Sequence, residues 1–472
     1  MTAAGNPQST ETFFMASNSL HASGRAPWCA QRGRTALLAV WFLCQAAVAD
    51  TQTSENSELD SLREELAAIR RDYDARIAEL EARLKTAEAQ RTDNPPVMQP
   101  VASSRGQAAF NPAIGVIFQG QAWGYGDHGE ENDIPGFPVG GEAGPIPEGL
   151  ALAETEIDAS ANVDNLFTAR LTLPLVIEDG ETAVEIEEAW IETLGLPLGL
   201  SARFGRFYSG IGYLNSKHSH TWDFADQPLA YQAFLGNQYT DDGVQVRWLA
   251  PTDLYVEVGG ELFRGDRYPA GGAANHGFGS EALFARIGGD VGTGSSWLTG
   301  ISYLHAKGRE RPSGPEEEPL LFDGSTDLVI AEFVWKWAPN GNWRQRNLVV
   351  QSEWLWRNED GRYLLPDGGA PDIDRDQWGW YLQAVYQPIP QWRVGGRVDL
   401  LSSDDPGDAF AGTALEPVGD DPERYTVMVD WSPSEFSRLR LQYGWDRSGI
   451  DSFDQWGLQY IHSIGAHGAH SF

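Results

Sequence analysis

The stretch Trp378-Gly379-Trp380-Tyr381-Leu382-Gln383-Ala384-Val385-Tyr386-Gln387 sets the pattern of the chain. Trp378, Trp380, Leu382, Ala384 and Tyr386 share one face of an extended strand, and Gln383 and Gln387 lie opposite, because successive strand side chains point to opposite sides. The pattern recurs. Tyr425, Val427, Val429 and Trp431 oppose Thr426 and Asp430. Leu439, Leu441, Tyr443 and Trp445 oppose Arg438, Arg440 and Gln442, and Trp392, Val394, Val398 and Leu400 oppose Arg393, Arg397 and Asp399. A soluble sandwich alternates in the same way. Two features favour a membrane barrel: aromatic residues gather near strand ends, and connections alternate between short and long.

Working outward, sixteen such strands are predicted, near 112–125, 152–163, 166–177, 183–194, 200–207, 241–250, 254–263, 282–291, 297–306, 326–337, 345–357, 377–387, 392–401, 424–432, 437–446 and 455–472. Long loops are expected near 126–151, 207–240, 264–281, 307–325, 358–376 and 402–423. The fold class is therefore all-β, a 16-stranded antiparallel transmembrane β-barrel over 109–472. A circle of that size leaves an aqueous bore.

The chain has 472 residues, 34 basic and 67 acidic, for a net charge of −33. That acidity argues against a nucleic-acid partner, which needs a basic surface. With 18 Trp and 52 Gly the chain is neither disordered nor a pure coiled coil. Residues 1–49 read as an export signal: Arg25, Arg32 and Arg34 lead into the apolar run Ala36–Cys44, and Ala47-Val48-Ala49 offers a small-residue cleavage site. Removing its three basic residues and one acidic residue, Glu11, leaves a charge of −35. Both cysteines, Cys29 and Cys44, go with it, so the mature chain has no disulfide.

A coiled coil is expected over 55–90. Leu59, Leu62, Leu66, Ile69, Tyr73, Ile77, Leu80, Leu84 and Ala87 follow steps of three and four, with one stutter at Tyr73–Ile77. Such a seam favours self-association, and a lone helix packed on the barrel is the other reading. Residues 91–108 are a Pro, Ser and Gln-rich linker.

Signal, coil, linker, sixteen strands and the terminal Phe472 together resemble trimeric bacterial porins, most closely those with an N-terminal periplasmic coil. Asn111-Pro112, the segment Gly212–Phe224 and the segment Ala233–Tyr239 are also similar to proteins catalogued as TonB-dependent or zinc-regulated outer-membrane receptors. The resemblance implies a homo-trimer in outer-membrane lipid, with the coil in the periplasm and small hydrophilic solutes or ions diffusing through the bore. True TonB-dependent receptors carry a folded plug, and the segment ahead of this barrel is too short for one. A metal or other nutrient receptor and a structural envelope protein are the alternative functions.

Candidate residues follow. In the porins that the chain resembles, the third long loop folds inward, which implies a constriction at 207–240 with Lys217, Trp222 and Asp226. His218 and His220, with Asp223 nearby, suit zinc, since imidazole and carboxylate are its ligands. The same side chains can instead hydrogen-bond the loop to the wall. His467 and His470 are a weaker metal candidate at the rim. Arg203, Arg393, Arg397, Arg438 and Arg440 fall on polar strand faces and are expected to line the pore, setting a transverse field or forming lumenal salt bridges. Asp372, Asp374, Asp376, Asp404, Asp405, Asp408, Asp420, Asp421 and Glu316–Glu318 form an acidic loop rim, a solvated face or a calcium site, that concentrates cations.

No enzyme is expected. Gly124–Gly129 fits a GxGxxG pattern, but Pro135 and Pro138 prevent the helix it needs, and Ser302 and His305 lie on opposite faces of one strand.

Overall fold

The computed structural model describes residues 112–465, apart from 127–133, 138–139, 141–142, 179–180, 273–276 and 315–318. The expected signal, coiled coil and linker, together with His467, His470, Phe472 and Glu316–Glu318, lie outside the described residues.

Sixteen antiparallel strands form one closed sheet. They are β1 (Ala113–Tyr125), β2 (Gly149–Leu152 continued by Thr155–Asn162), β3 (Phe167–Glu178), β4 (Glu181–Val184 continued by Glu188–Thr193), β5 (Leu200–Tyr208), β6 (Thr240–Leu249), β7 (Tyr255–Phe263) and β8 (Ser280–Val291). Then come β9 (Ser295–Ser313), β10 (Leu320–Trp337), β11 (Asn347–Leu364), β12 (Asp372–Ile389), β13 (Trp392–Ser403), β14 (Glu423–Ser434), β15 (Ser437–Arg447) and β16 (Phe453–Gly465). Each strand pairs with its chain neighbour, and β1 closes on β16 from Gly115↔Gly465 to Tyr125↔Gln455. Closure leaves no unpaired edge. Sixteen strands also separate this fold from TonB-dependent receptors, whose barrels have about 22, so the resemblance to that class is not carried by the fold.

The outward face explains where the barrel sits. Leu171, Ile191, Phe204, Val246, Val258, Leu283, Ile301, Phe333, Val427, Leu441 and Leu458 are all exposed. An apolar band of that extent would be untenable in water and suits hydrocarbon. Aromatics border it. Trp248, Tyr255, Trp343, Trp392, Trp431 and Phe436 ring the short-turn end, while Tyr303, Trp356, Tyr425, Trp445 and Trp456 ring the other. These are interfacial girdles.

Two expected loops prove to be strand. The segments 307–325 and 358–376 extend β9 through β12, leaving connections only at 314–319 and 365–371. Beyond Trp356 and Trp378 the outward positions switch from aromatic to Asn358, Asp360 and Arg362 on β11 and to Asp372, Asp374 and Asp376 on β12. The switch marks where the wall leaves the bilayer and enters water. Inward, the extension has its own core of Leu320, Phe322, Tyr363, Leu365, Ile373, Phe410 and Leu415. A bulge at 308–311 turns Arg311 inward, where it bonds Glu359 at 2.8 Å.

The boundary is testable by charge insertion. Leu441→Arg, in the middle of the band, should cost about 2–4 kcal/mol in urea unfolding of the barrel in vesicles, whereas Asp360→Arg, above it, should cost at most about 1 kcal/mol. Equal costs would place the band elsewhere.

Candidate functional site

The connection 209–239 leaves β5, folds into the barrel and returns to β6. Its neck is closed by Asn215, whose amide donates to the Ser209 and Tyr239 carbonyls (2.9 and 2.8 Å) and whose Oδ1 accepts from the Tyr239 N–H at 2.7 Å. Gly212 takes φ +61°, and a Cβ there would lie 2.3 Å from the Tyr231 hydroxyl, so only glycine fits. A short helix, α1 (Leu229–Leu235), follows, with all seven residues buried and Gly236 as its left-handed cap.

Polypeptide inside a barrel must find partners for its backbone, and the inward side chains supply them. Glu353 of β11 accepts from the Tyr213 N–H (2.7 Å) and the Tyr231 hydroxyl (2.9 Å). Glu261 of β7 accepts from the Gly210 N–H at 2.8 Å. Arg286 of β8 donates to the Gly210 and Gly212 carbonyls at 2.5 and 2.7 Å and bonds Glu332 at 2.6 Å. On the far side, Arg438 and Arg440 donate to the His220 and Trp222 carbonyls, both at 2.7 Å. Arg393 bonds Asp223 at 2.8 Å and also meets Asp430.

Asp226 is held most tightly. Its carboxylate receives Arg397 at 2.9 Å, Arg424 at 2.8 Å and the Gln442 amide at 2.7 Å. Burial works against its charge, but the two guanidiniums and the amide outweigh burial and hold its pKa below the usual aspartate range.

Apolar contacts complete the filling. Ile211, Leu214, Leu229, Tyr231, Phe234 and Leu235 of the loop pack with Phe207, Phe263, Leu304, Leu328, Ile330, Leu355 and Leu401 of the wall. Inward residues at this level are almost closed to solvent: Glu353 and Asp430 are 0 % exposed, Arg440 1 % and Arg397 2 %. The open bore expected of sixteen strands is therefore occupied here by the loop.

A third group holds the loop to β2 and β4. His218 Nε2 lies 3.0 Å from Glu188, its Nδ1 lies 3.5 Å from Glu156 and 3.3 Å from Glu187, and His220 Nδ1 lies 2.8 Å from Glu156. Glu187 and Glu188 are adjacent in sequence yet reach the same imidazole. The break at 185–187 in β4, where Glu185 and Glu187 N–H groups bond Pro174 and Thr172 carbonyls, acts as a bulge and turns both inward. Burial alone would lower the His218 pKa, but the Glu187 and Glu188 carboxylates raise it well above the ordinary histidine value.

Among known proteins, an uncharacterized protein of Aquifex aeolicus is 30 % identical over 362 residues, spanning 73 % of this chain and 72 % of that one. The chain belongs to the same family as that protein. No protein-family model matches. Solved structures of similar shape include OmpT, an outer membrane protein of Vibrio cholerae (11 % identity, TM-score 0.46, 75 % of this chain and 97 % of that one). The outer membrane channel DcaP of Acinetobacter baumannii matches at 12 % identity and TM-score 0.46, over 75 % and 97 %. OprB of Pseudomonas putida matches at 12 % and 0.46, over 77 % and 96 %.

The residues singled out from sequence divide within this family member. Arg393, Arg397, Arg438 and Arg440 come together and grip the loop, with Arg397 and Arg440 closed to solvent and Arg393 partly open to it. Arg203 stands apart from them, paired with Glu192 at 2.6 Å and stacked on Trp190. Trp222 and Asp226 are anchors, and Lys217 lies over the Tyr213 ring. His218 and His220 share Glu156, whereas Asp223 turns to Arg393 and is not with them. Sequence reasoning missed Glu156, Glu187, Glu188, Glu261, Glu353, Arg286 and Arg424. For Arg424 the strand alternation around Tyr425 was an available signal; for Glu187 and Glu188 the bulge erased it.

The Asp226 latch predicts a pH response. A depressed pKa contributes stability that is present above the unfolded aspartate value of about 3.9 and lost as pH falls through the lower folded value. Pepsin should therefore spare the loop in the wild type at about pH 4 and cut it there in Asp226→Asn. Equal cutting of both proteins would show that the latch carries no stability.

Proposed function

We propose that the chain is an outer-membrane channel for small hydrophilic solutes or ions, narrowed and gated by the inserted connection 209–239. The observation that carries this reading is the loop's attachment through paired charges rather than through the wall's backbone ladder. Arg393–Asp223 and the Asp226 cluster are separable without breaking a strand. The lumen beside the loop keeps partly solvated charges, with Arg170, Arg247 and Arg393 each between 25 % and 29 % exposed in their side chains. Passage runs past the loop's edge or through its displacement. The reading includes a periplasmic coil over 55–90 holding a homo-trimer, supported by the apolar seam from Leu59 to Ala87.

The filled lumen favours one competitor, a closed barrel with a structural role. Planar-bilayer recording separates them. The channel reading predicts a small single-channel conductance for the wild type and a several-fold larger one when Ser216–Asp226 is deleted. A silent wild type under all voltages and salts would favour the structural barrel.

A further inference from the structure

Four carboxylates, Asp158, Glu156, Glu187 and Glu188, meet beside the loop, and Arg170 faces them at 2.7 Å from Asp158 and 3.8 Å from Glu188. Buried charge of one sign calls for a counter-charge, supplied by a proton or by a metal ion. We propose that Glu156, Glu187 and His218 bind a divalent metal ion of the zinc class, which clasps the inserted loop to the barrel wall.

Three geometric facts carry this. First, one ligand atom from each of the three residues lies within 4.8 Å of the others. A tetrahedral ion with ligand bonds of about 2.0–2.1 Å separates its ligand atoms by about 3.3–3.4 Å. His218 Nδ1 stands 3.3 Å from Glu187 Oε2 and 3.5 Å from Glu156 Oε2.

Second, Nδ1 of His218 and Oε2 of Glu187 are buried and face each other 3.3 Å apart without forming a well-directed hydrogen bond, and His218 is only 7 % exposed. Two acceptor atoms and a ring nitrogen pointing at one spot is costly in a protein interior and is the arrangement an ion requires.

Third, the supporting shell is in place. His218 directs its other nitrogen, Nε2, to the Glu188 carboxylate at 3.0 Å, which fixes the tautomer that leaves Nδ1 free to ligate. Tyr208 donates its hydroxyl to the other oxygen of Glu187, and His220 Nδ1 meets the other oxygen of Glu156 at 2.8 Å. Zinc would displace the imidazole proton and take over its role as counter-charge. His218 lies on the loop, Glu156 on β2 and Glu187 in the β4 bulge, so the ion would join the loop to two wall strands. Asp223 has no part in it.

The test is zinc binding by the full chain in detergent after chelator stripping, read by equilibrium dialysis and X-ray absorption. The wild type should retain one zinc per chain, with one imidazole among oxygen neighbours in the absorption spectrum. His218→Ala and Glu187→Gln should each lose that equivalent. Glu188→Gln, which touches only the supporting carboxylate, should weaken binding about 10–100-fold. His467→Ala with His470→Ala should leave it unchanged. Glu187→Gln preserves side-chain shape, and the wild-type spectrum needs no variant, so a folding failure in His218→Ala does not rescue the proposal. No retained zinc in the wild type, undiminished zinc in both ligand variants, or two or more imidazoles around the metal would each overturn it.

Discussion

A polypeptide segment placed inside a barrel carries backbone donors and acceptors away from bulk water, and the rest of this structure follows from how they are satisfied. The wall side chains that meet the connection 209–239 are long and charged: glutamates on β7 and β11, arginines on β8, β13, β14 and β15. Several of these arginines are ion-paired, Arg286 with Glu332, Arg397 and Arg424 with Asp226, and Arg440 with Asp430, whereas Glu261 and Glu353 are held by N–H, hydroxyl and amide donors. Leaving one partner of such a pair alone typically costs about 3–5 kcal/mol, so the network holds the loop in one place. It also makes the attachment ionic, unlike the strand ladder around it.

Outside and inside obey opposite rules on the same strands. β15 turns Leu439, Leu441, Tyr443 and Trp445 to lipid and Arg438, Arg440 and Gln442 to the loop. A shift of one residue would exchange the two faces. The bilayer side and the loop side therefore fix the register together, and the aromatic girdles set its height.

How much of this was legible in the sequence depended on that alternation. All sixteen strands could be placed, because each carries an apolar outward row. The upper halves of β9 to β12 could not, because above Trp356 and Trp378 the outward face turns polar and the lipid no longer imposes a pattern. The inward direction of Arg393, Arg397, Arg438 and Arg440 was readable, but their partners depend on the path of a loop folded across the lumen. The pairing of His218 with Glu156 and Glu187 was not readable, since a bulge places two consecutive glutamates on one side and breaks the period of two. The grouping of Asp223 with the two histidines failed for the same kind of reason: a bend after Trp222 carries it to Arg393 instead.

The central claim is that, at rest, 209–239 is latched inside the barrel by its side-chain contacts with the wall. Amide hydrogen exchange of the folded protein tests it most directly. The N–H groups of Tyr213, Ala225, Gln232 and Tyr239, bonded to Glu353, Gln442, the Pro228 carbonyl and Asn215, should exchange as slowly as those of the strands. Exchange of those amides at the rate of the exposed stretch 418–421 would contradict the account.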